Sequence, residues 1–179
     1  MSGIANRPLA AHAPLIVTAK LAPADLAWLD GLRRQHYPAE RNRLAAHLTM
    51  FYALPPSLEG EARHRLALAA KASPPPAKVA GLMDLGGGVA LRVVSDGLDR
   101  VRDELAEVFH GMLGAQDGGG WRPHVTIQNK VANRDARQLL ETLQAGFQPC
   151  PLGIRGLGLH RYLGGPWETL RVWPFRGLS

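Results

Sequence analysis

W-R-P-H-V-T-I-Q-N-K, residues 121–130, is the stretch on which the interpretation of this chain depends, and it has a counterpart in R-L-A-A-H-L-T-M-F-Y, residues 43–52. Each stretch contains a histidine, one spacer residue and a threonine, an H-x-T motif, within a run that alternates like a β-strand. Successive side chains of a strand point to opposite faces, so the histidine and the threonine of each motif are expected to share a face. One such motif in each half of the chain predicts a site assembled from two similar halves.

Polar and apolar residues alternate cleanly along the second stretch. The opposite face of the predicted strand is mainly apolar, and its polar face carries Arg122, His124, Thr126, Gln128 and Lys130. In the first stretch, His47 and Thr49 share a face. An imidazole, a hydroxyl, an amide and two cations suit an anionic, oxygen-rich ligand such as a phosphate. The two polar faces are therefore predicted to be opposite walls of a phosphate-binding groove.

Two histidines on opposite sides of a phosphate can divide the acid–base work of a phosphodiester reaction. One imidazole takes the proton from an attacking water or hydroxyl, while the other protonates the leaving oxygen. The threonine hydroxyls can hydrogen-bond the phosphoryl oxygens, and nearby cations can stabilise the developing charge. This chemistry needs no metal and no other cofactor. It predicts the opening or closing of a phosphodiester such as a 2′,3′-cyclic phosphate, with His47 and His124 as the catalytic pair and the assignment of acid and base left open.

The rest of the sequence predicts an α+β fold with mainly antiparallel sheets and helices on the outer faces. The predicted order is β-α-β-α-β followed by β-α-β-α-β-β, an approximate internal duplication within one domain, residues 1–179, with halves at about 14–76 and 77–175. Strands are predicted at 14–21, 43–54, 78–85, 89–95, 122–131, 152–162 and 167–175. Helices are predicted from 23 to before 38, at 57–72 with Ser57 as N-cap, at 98–113 and at 135–147. Residues 117–120, D-G-G-G, are predicted to form a flexible loop.

Composition limits the partners and the compartment. The chain has a net charge of +6 and a pI near 10.1. This balance favours anionic partners, here RNA ends or small cyclic-phosphate nucleotides, with a basic surface that serves only solubility as the alternative. No apolar run approaches the roughly 18 residues of a membrane span, and the start of the chain lacks the pattern of a signal peptide. We therefore expect a cytoplasmic protein without a membrane partner, and Cys150, the single cysteine, excludes an internal disulfide or a thiolate zinc site.

With these motifs, the chain resembles the two-histidine (2H) phosphoesterases and, within them, the 2′-5′ RNA ligase family. The resemblance rests on H-L-T-M at 47–50 and R-P-H-V-T-I at 122–127, and is supported by L-H-R-Y-L-G-G-P-W-E-T-L at 159–170. It implies a bilobal, LigT-like fold with a pseudo-twofold axis, a groove between the lobes and the two motif histidines across the scissile phosphate. It also implies cyclic phosphodiesterase, 2′-5′ ligation or RNA-trimming activity. Met50 and Ile127 stand where close relatives often have leucine; both are apolar, so no loss of chemistry is expected.

Several assignments remain open at this stage. Tyr162 and Trp167 either stack on a base of the substrate or pack in the core. His160, in the same predicted hairpin, either lines the groove or packs. A non-catalytic RNA- or nucleotide-binding protein that retains the groove is the main alternative function. A histidine-based metal enzyme is disfavoured, because no acidic residue or third histidine lies at metal-ligand spacing beside either motif.

Overall fold

The computed structural model describes residues 10–177, which form two four-stranded antiparallel sheets with helices packed on them. The predicted α+β class is confirmed. The strands are β1 (Leu15–Leu21), β2 (Leu48–Leu54), β3 (Lys78–Asp84), β4 (Val89–Val94), β5 (His124–Gln128), β6 (Cys150–Pro151), β7 (Ile154–Tyr162) and β8 (Trp167–Pro174). The helices are α1 (Pro23–His36), α2 (Glu59–Ala69), α3 (Asp96–Val108), α4 (Ala115–Gly118) and α5 (Asn133–Gly146), and short 3-10 turns span Ala39–Arg41 and Pro56–Leu58.

The two sheets are built by an exchange of strands. Their orders are β2-β1-β7-β8 and β5-β4-β3-β6. The unit β1-α1-β2-α2 is repeated as β4-α3-β5-α5, but the strand that follows each unit joins the other unit's sheet: β3 pairs with β4, and β7 pairs with β1. The predicted halves 14–76 and 77–175 therefore do not each build one sheet. The repeat boundary lies in the β3–β4 hairpin rather than at the proline-rich residues 73–76.

Several predicted boundaries differ from the structure. β2 begins at Leu48, so His47 lies in the segment that leads into the strand and not within it. Ser57 is not an N-cap, because a 3-10 turn precedes α2 and Leu58 occupies the cap position. Helix α4 extends into the predicted flexible loop at residues 117 and 118, and Asp117 there is only 2% exposed. That buried carboxylate has hydrogen-bond partners in the other lobe, which no local pattern indicates.

The local sequence signals of helix α3 account for its N-cap and its buried residues but not for the position of its C-terminal end. It begins after Ser95, whose hydroxyl accepts a hydrogen bond from the amide of Leu98 at 3.2 Å. Leu98 and Leu105 are buried, as their spacing predicts. The helix ends at Val108, short of the predicted end at residue 113, and Val108 and Met112 are exposed.

One continuous apolar core joins the two sheets. It includes residues of β1, β2 and β7 from the first sheet and of β4 and β5 from the second. At its centre Phe51 of β2 meets Phe109, which follows α3, edge to face at a centroid distance of 5.9 Å. Within residues 10–177, no helix combines the length and the apolar character that crossing a bilayer requires.

Candidate active site

The two motif histidines are held by the same local interaction. The Nδ1 of His47 lies 2.8 Å from the carbonyl oxygen of Ala45, and the Nδ1 of His124 lies 2.7 Å from the carbonyl oxygen of Arg122. A carbonyl oxygen only accepts, so Nδ1 carries the hydrogen and donates it in both rings. Each neutral ring therefore keeps its lone pair on Nε2, which is the nitrogen left to exchange a proton with a ligand.

The two motifs lie side by side because each occupies the outer edge of its sheet. β2 ends the first sheet, β5 ends the second, and these two strands are in contact. Two hydrogen bonds link them across the lobes. The indole Nε1 of Trp121 donates to the carbonyl oxygen of Thr49 at 3.0 Å. The guanidinium of Arg33 donates to the carbonyl oxygen of Thr126 at 2.8 Å. The residues that precede one motif thus fix the backbone of the other.

The threonine hydroxyls of both motifs are free of protein partners. Thr49 is 6% exposed and Thr126 is half-buried. Across residues 10–177, neither hydroxyl makes a hydrogen bond to a protein atom. Hydroxyl groups beside a histidine that are not already used inside the protein can accept or donate to a bound phosphoryl group. The structure thus brings four residues predicted from sequence, His47, Thr49, His124 and Thr126, to adjacent strand edges.

Trp167 packs directly against His47. The two rings meet edge to face with centroids 4.7 Å apart, and the centroid of the His160 ring lies 5.5 Å from that of Trp167. Trp167 and His160 both line a cavity of about 330 Å³ that also contains His47 and Lys20. We call this space the His47 cavity. The sequence left open whether Trp167 stacks on a substrate base or packs in the core, and whether His160 lines the groove. In the structure both side chains line the His47 cavity.

His160 is held neutral between two hydroxyl groups. Its Nε2 lies 2.8 Å from the Oγ1 of Thr18, and its Nδ1 lies 3.0 Å from the Oγ1 of Thr169. Burial, with smaller contributions from the charges of His47 and Lys20, lowers the pKa of His160 to about 4. Gly158 leaves the space for this arrangement, because a Cβ there would lie 2.8 Å from both the imidazole and the Thr18 hydroxyl.

The surroundings of His47 disfavour its charged form. Burial is the largest cause and lowers the pKa of His47 below its ordinary value of 6.5. The positive charges of Arg33 and His124 lower this pKa further, whereas the hydrogen bond to Ala45 and the charge of Asp30 raise it. The net direction is down, so His47 is neutral near pH 7 and its Nε2 can accept a proton.

The predicted polar wall of the second motif is shorter in the structure than the sequence suggested. Gln128 is 7% exposed, and its Oε1 is a buried side-chain atom without a hydrogen-bond partner in the described part of the chain. Lys130 lies beyond the end of β5 in left-handed backbone, with φ 63°, and its side chain is exposed. The prediction was wrong to continue the two-residue alternation past Gln128. Arg122 is exposed ahead of β5, and Tyr162 is 41% exposed at the end of β7, paired with Trp167.

Sequence reasoning missed the buried charges that support the first motif. Arg102 is 5% exposed and donates from Nε to the carbonyl oxygen of Met50 at 2.8 Å, with its guanidinium 3.9 Å from the Phe51 ring centroid. Asp117 accepts hydrogen bonds from the amides of Tyr52 and Ala53 at 2.7 and 2.8 Å. One signal was available: Arg102 lies four residues after Leu98 and three before Leu105, within the apolar stripe of α3.

A second cavity, of about 430 Å³, lies beside the second motif. Its lining includes the residues that lead into β5, together with charged residues of β4 and α3. We call it the His124 cavity. Over residues 10–177, no group of three or more histidine, cysteine, aspartate or glutamate side chains could hold a metal ion.

Comparisons with known proteins agree on the fold. A family model described as the 2′-5′ RNA ligase superfamily matches residues 21–166. Among solved structures, TT0787 of Thermus thermophilus is similar with a TM-score of 0.64 at 16% identity, covering 93% of this chain and 100% of that one. Escherichia coli LigT complexed with 3′-AMP has a TM-score of 0.54 at 16% identity, covering 92% and 98%. LigT complexed with NADP+ has a TM-score of 0.55 at 19% identity, covering 92% and 99%. No curated protein matches the chain.

Proposed function

Because the chain belongs to the 2′-5′ RNA ligase superfamily, we propose that it is a metal-independent phosphodiesterase that opens 2′,3′-cyclic phosphates on RNA ends or small nucleotides. The observation that carries the proposal is the repeated geometry of the motifs. Two histidines, each fixed as the Nδ1–H tautomer by a backbone carbonyl, lie on adjacent strand edges beside two unpartnered threonine hydroxyls. This arrangement offers two proton-transfer groups and two phosphate ligands to one substrate.

In the hydrolytic direction, we assign His47 as general base and His124 as general acid. Neutral His47 takes a proton from water through Nε2 as the water oxygen forms a bond to phosphorus. Protonated His124 gives a proton to the ribose oxygen as its bond to phosphorus breaks, which opens the ring. The lowered pKa of His47 supports this assignment, because a base must be neutral at the operating pH. Thr49 and Thr126 hold the non-bridging oxygens while negative charge develops on them.

The same groups serve a second reaction. When an RNA hydroxyl replaces water as the nucleophile, opening of the strained cyclic phosphate gives ligation instead of hydrolysis, without a nucleotide cofactor. Solved structures of LigT are complexes with 3′-AMP and with NADP+. Nucleotide binding by a protein of the same fold supports nucleotide-type ligands for this chain. Trp167, beside His47, is the side chain that we propose stacks on the base of such a ligand.

Hydrolysis of 2′,3′-cyclic nucleotides in the presence of EDTA tests the proposal. We expect the wild-type protein to turn over, and His47→Ala and His124→Ala each to lower kcat about 10²- to 10⁴-fold, the range for loss of an acid or base. His64→Ala, on the exposed side of α2, is the matched control and should retain full activity. Activity that disappears with EDTA would contradict the metal-independent mechanism.

The same experiment separates the enzyme from a binding protein. If the wild-type protein binds cyclic-phosphate ends without turnover, and the two alanine variants change affinity alone, the chain is a nucleotide-binding protein that retains the groove. Equal turnover by the wild-type protein and both variants would show that the reaction occurs elsewhere on the molecule.

A further inference from the structure

The two motif histidines receive the same backbone hydrogen bond, but the peptide unit that provides it differs between the lobes. The residues before the histidines correspond to each other in the repeat: Ala45 and Ala46 in the first motif, Arg122 and Pro123 in the second. Ala46 has an amide hydrogen, whereas Pro123 has none. The carbonyl group that holds each imidazole is therefore part of a peptide unit that carries an N–H in the first lobe and lacks one in the second.

In the second motif, proline and strand pairing fix this peptide unit. The ring of Pro123 restricts its own φ and favours extended backbone at the residue before it. The carbonyl oxygen of Pro123 accepts from the amide of Val93 at 2.9 Å, and His124 is paired with Arg92 of β4. The carbonyl of Arg122, which accepts from the imidazole, is thus placed by covalent geometry and by the sheet.

The first motif is held by a side chain instead. The pairing of β1 with β2 extends only to Leu48, which lies opposite Ala19, so His47 precedes the paired region. The amide of Ala46 donates to the Oδ1 of Asp30, a residue of α1, at 2.5 Å. Ala46 is only 6% exposed, and a hydrogen bond to a carboxylate is stronger than one between neutral groups.

The hydrogen bond to Asp30 also orients the carbonyl group that holds His47. The amide of Ala46 and the carbonyl of Ala45 belong to one planar peptide unit, in which the N–H and the C=O point in opposite directions. A carboxylate that fixes the direction of the N–H therefore fixes the direction of the C=O, whose oxygen lies 2.8 Å from the Nδ1 of His47. A continuous chain of hydrogen bonds thus runs from Asp30 through one peptide unit to the imidazole, and the bonds of such a chain polarise one another.

We propose that Asp30 is a positioning residue for the reaction, which fixes His47 in the Nδ1–H tautomer through the peptide unit between Ala45 and Ala46. The proposal rests on the function proposed above, because the tautomer affects the reaction only if His47 exchanges a proton through Nε2. Asp30 acts through the backbone and not on the substrate. In the second motif, Pro123 fixes the corresponding peptide unit without a carboxylate.

The charge of Asp30 has a second, measurable effect on His47. Burial lowers the pKa of His47 most, and the negative charge of Asp30 opposes this by raising it. Replacement of the carboxylate by a neutral group should therefore lower this pKa further and move the acidic limb of the kcat/KM profile to lower pH. The other titratable or charged side chains around His47 are Arg33, His124, His160 and Lys20.

The tautomer of His47 tests the proposal without any substrate. The ¹⁵N chemical shifts of an imidazole distinguish a nitrogen that carries hydrogen from a bare one, at a pH at which the ring is neutral. Asp30→Ala should leave His47 as a mixture of tautomers, whereas His124 should remain Nδ1–H because its anchor does not depend on Asp30. Asp30→Asn, whose amide oxygen accepts more weakly, should show the same change to a smaller extent and covers the case in which Asp30→Ala does not fold. A His47 ring that stays entirely Nδ1–H in these variants would overturn the proposal.

Turnover of a 2′,3′-cyclic nucleotide gives the second measurement. Asp30→Ala should lower kcat about tenfold with little change in KM, because a misplaced base costs rate rather than binding. Asp30→Asn should retain more of kcat but shift the acidic limb to lower pH. Asp25→Ala is the matched control, since the Asp25 carboxylate lies on the same helix and accepts from the amide of Gly153, ahead of β7, at 2.7 Å. It should keep both kcat and the limb, and an equal loss of kcat in Asp25→Ala and Asp30→Ala would mean that Asp30 has a merely structural role.

Ala46→Pro provides a rescue, because it gives the first motif the proline of the second. In the Asp30→Ala background, its ring can use the space that the carboxylate leaves. The double variant should regain the Nδ1–H tautomer of His47 and most of kcat, while its acidic limb stays at lower pH because the charge is still missing. A double variant no better than Asp30→Ala would overturn the link through the Ala46 peptide unit.

The two measurements separate this proposal from the proposed function. If the wild-type protein hydrolyses no cyclic phosphate but Asp30→Ala changes the tautomer of His47, the proposed reaction is wrong and the positioning of His47 by Asp30 remains. If hydrolysis occurs but Asp30→Ala changes neither the tautomer nor kcat, the reaction remains and the role of Asp30 is overturned.

Discussion

At the scale of single residues, the backbone sets the tautomer of both motif histidines. In many acid–base sites a carboxylate holds the second ring nitrogen, whereas here the carbonyl oxygens of Ala45 and Arg122 do so. Since this anchor is the same at both motifs, it cannot distinguish an acid from a base. The difference must come from the surroundings, and His47 is the ring packed against Trp167 and approached by the charge of Arg33.

The pH dependence of the reaction follows from the lowered pKa of His47. A general base works only when neutral, so kcat/KM should be full above the pKa of His47 and fall as the pH drops through it. Because that pKa is lowered from 6.5, the acidic limb of the profile should lie below pH 6.5. A profile of kcat/KM measures it, and a limb at or above pH 6.5 would exclude His47 as the base.

Arg33 provides a second test of the same assignment. Its positive charge is one of the causes that lower the pKa of His47, so Arg33→Gln should move the acidic limb to higher pH. Arg33 also holds the carbonyl oxygen of Thr126 and is 3% exposed, so some loss of stability is expected as well. Arg33→Lys is the control that retains the charge, and the acidic limb of its kcat/KM profile should remain close to that of the wild-type protein.

At the scale of elements, β2 is an edge strand whose free side is closed by side chains. An exposed strand edge presents unpaired amides and carbonyls that invite association with other chains. Here Asp117 accepts from two β2 amides, while Arg102 and Trp121 donate to two β2 carbonyl oxygens. The second lobe thus completes the edge of the first sheet at the strand that carries Thr49.

Removal of the Asp117 carboxylate should destabilise the protein strongly. Asp117→Ala leaves the amides of Tyr52 and Ala53 without their partners in a part-buried setting, and the expected loss is about 2–4 kcal/mol in the free energy of unfolding. Urea denaturation measures it. Glu141→Ala, on the exposed side of α5, is the control and should change stability by no more than about 0.5 kcal/mol. A loss below about 1 kcal/mol for Asp117→Ala would mean that water replaces the carboxylate easily.

The elements that sequence could predict are those whose signals are local. The longer strands and helices were identified from periodicity and turn residues, and the two H-x-T motifs from their own alternation, whereas β6 and α4 were not predicted. Asp117 was missed because its partners are backbone atoms of β2, far away in sequence, and because the glycines beside it resemble a plain loop. Lys130 was misplaced because an alternating pattern does not itself show where a strand ends.

The set of strands that makes up each sheet could not be predicted from local patterns for a similar reason. The sequence shows the duplication but not which sheet receives the last strand of each unit. That choice depends on pairing between β1 and β7, in which Leu15 is opposite Arg161. Proline-rich residues 73–76 marked a boundary in composition, whereas the structural repeat changes at the β3–β4 turn.

At the scale of the whole molecule, the exchanged strands make each half of the chain depend on the other. Separate fragments of residues 1–86 and 87–179 divide the chain in the β3–β4 turn, so the first lacks β7 and β8 and the second lacks β3. We expect each fragment alone to lack cooperative unfolding, and an equimolar mixture to recover the circular dichroism spectrum and the activity of the intact protein. A fragment that unfolds cooperatively alone would contradict this dependence.

Strand exchange also has a consequence for the synthesis of the protein on the ribosome. β1 and β2 leave the exit tunnel early, but the central partner of β1 is β7, which is translated only after the whole second unit. During that interval the edge of β1 that later pairs with β7 is exposed in the nascent chain. Long-range strand pairing is slow to form, and an unpaired strand edge can associate with other chains. The rate of translation of the segment between β2 and β7, or a chaperone that binds the nascent chain during that time, should therefore change the yield of folded protein more than its final stability.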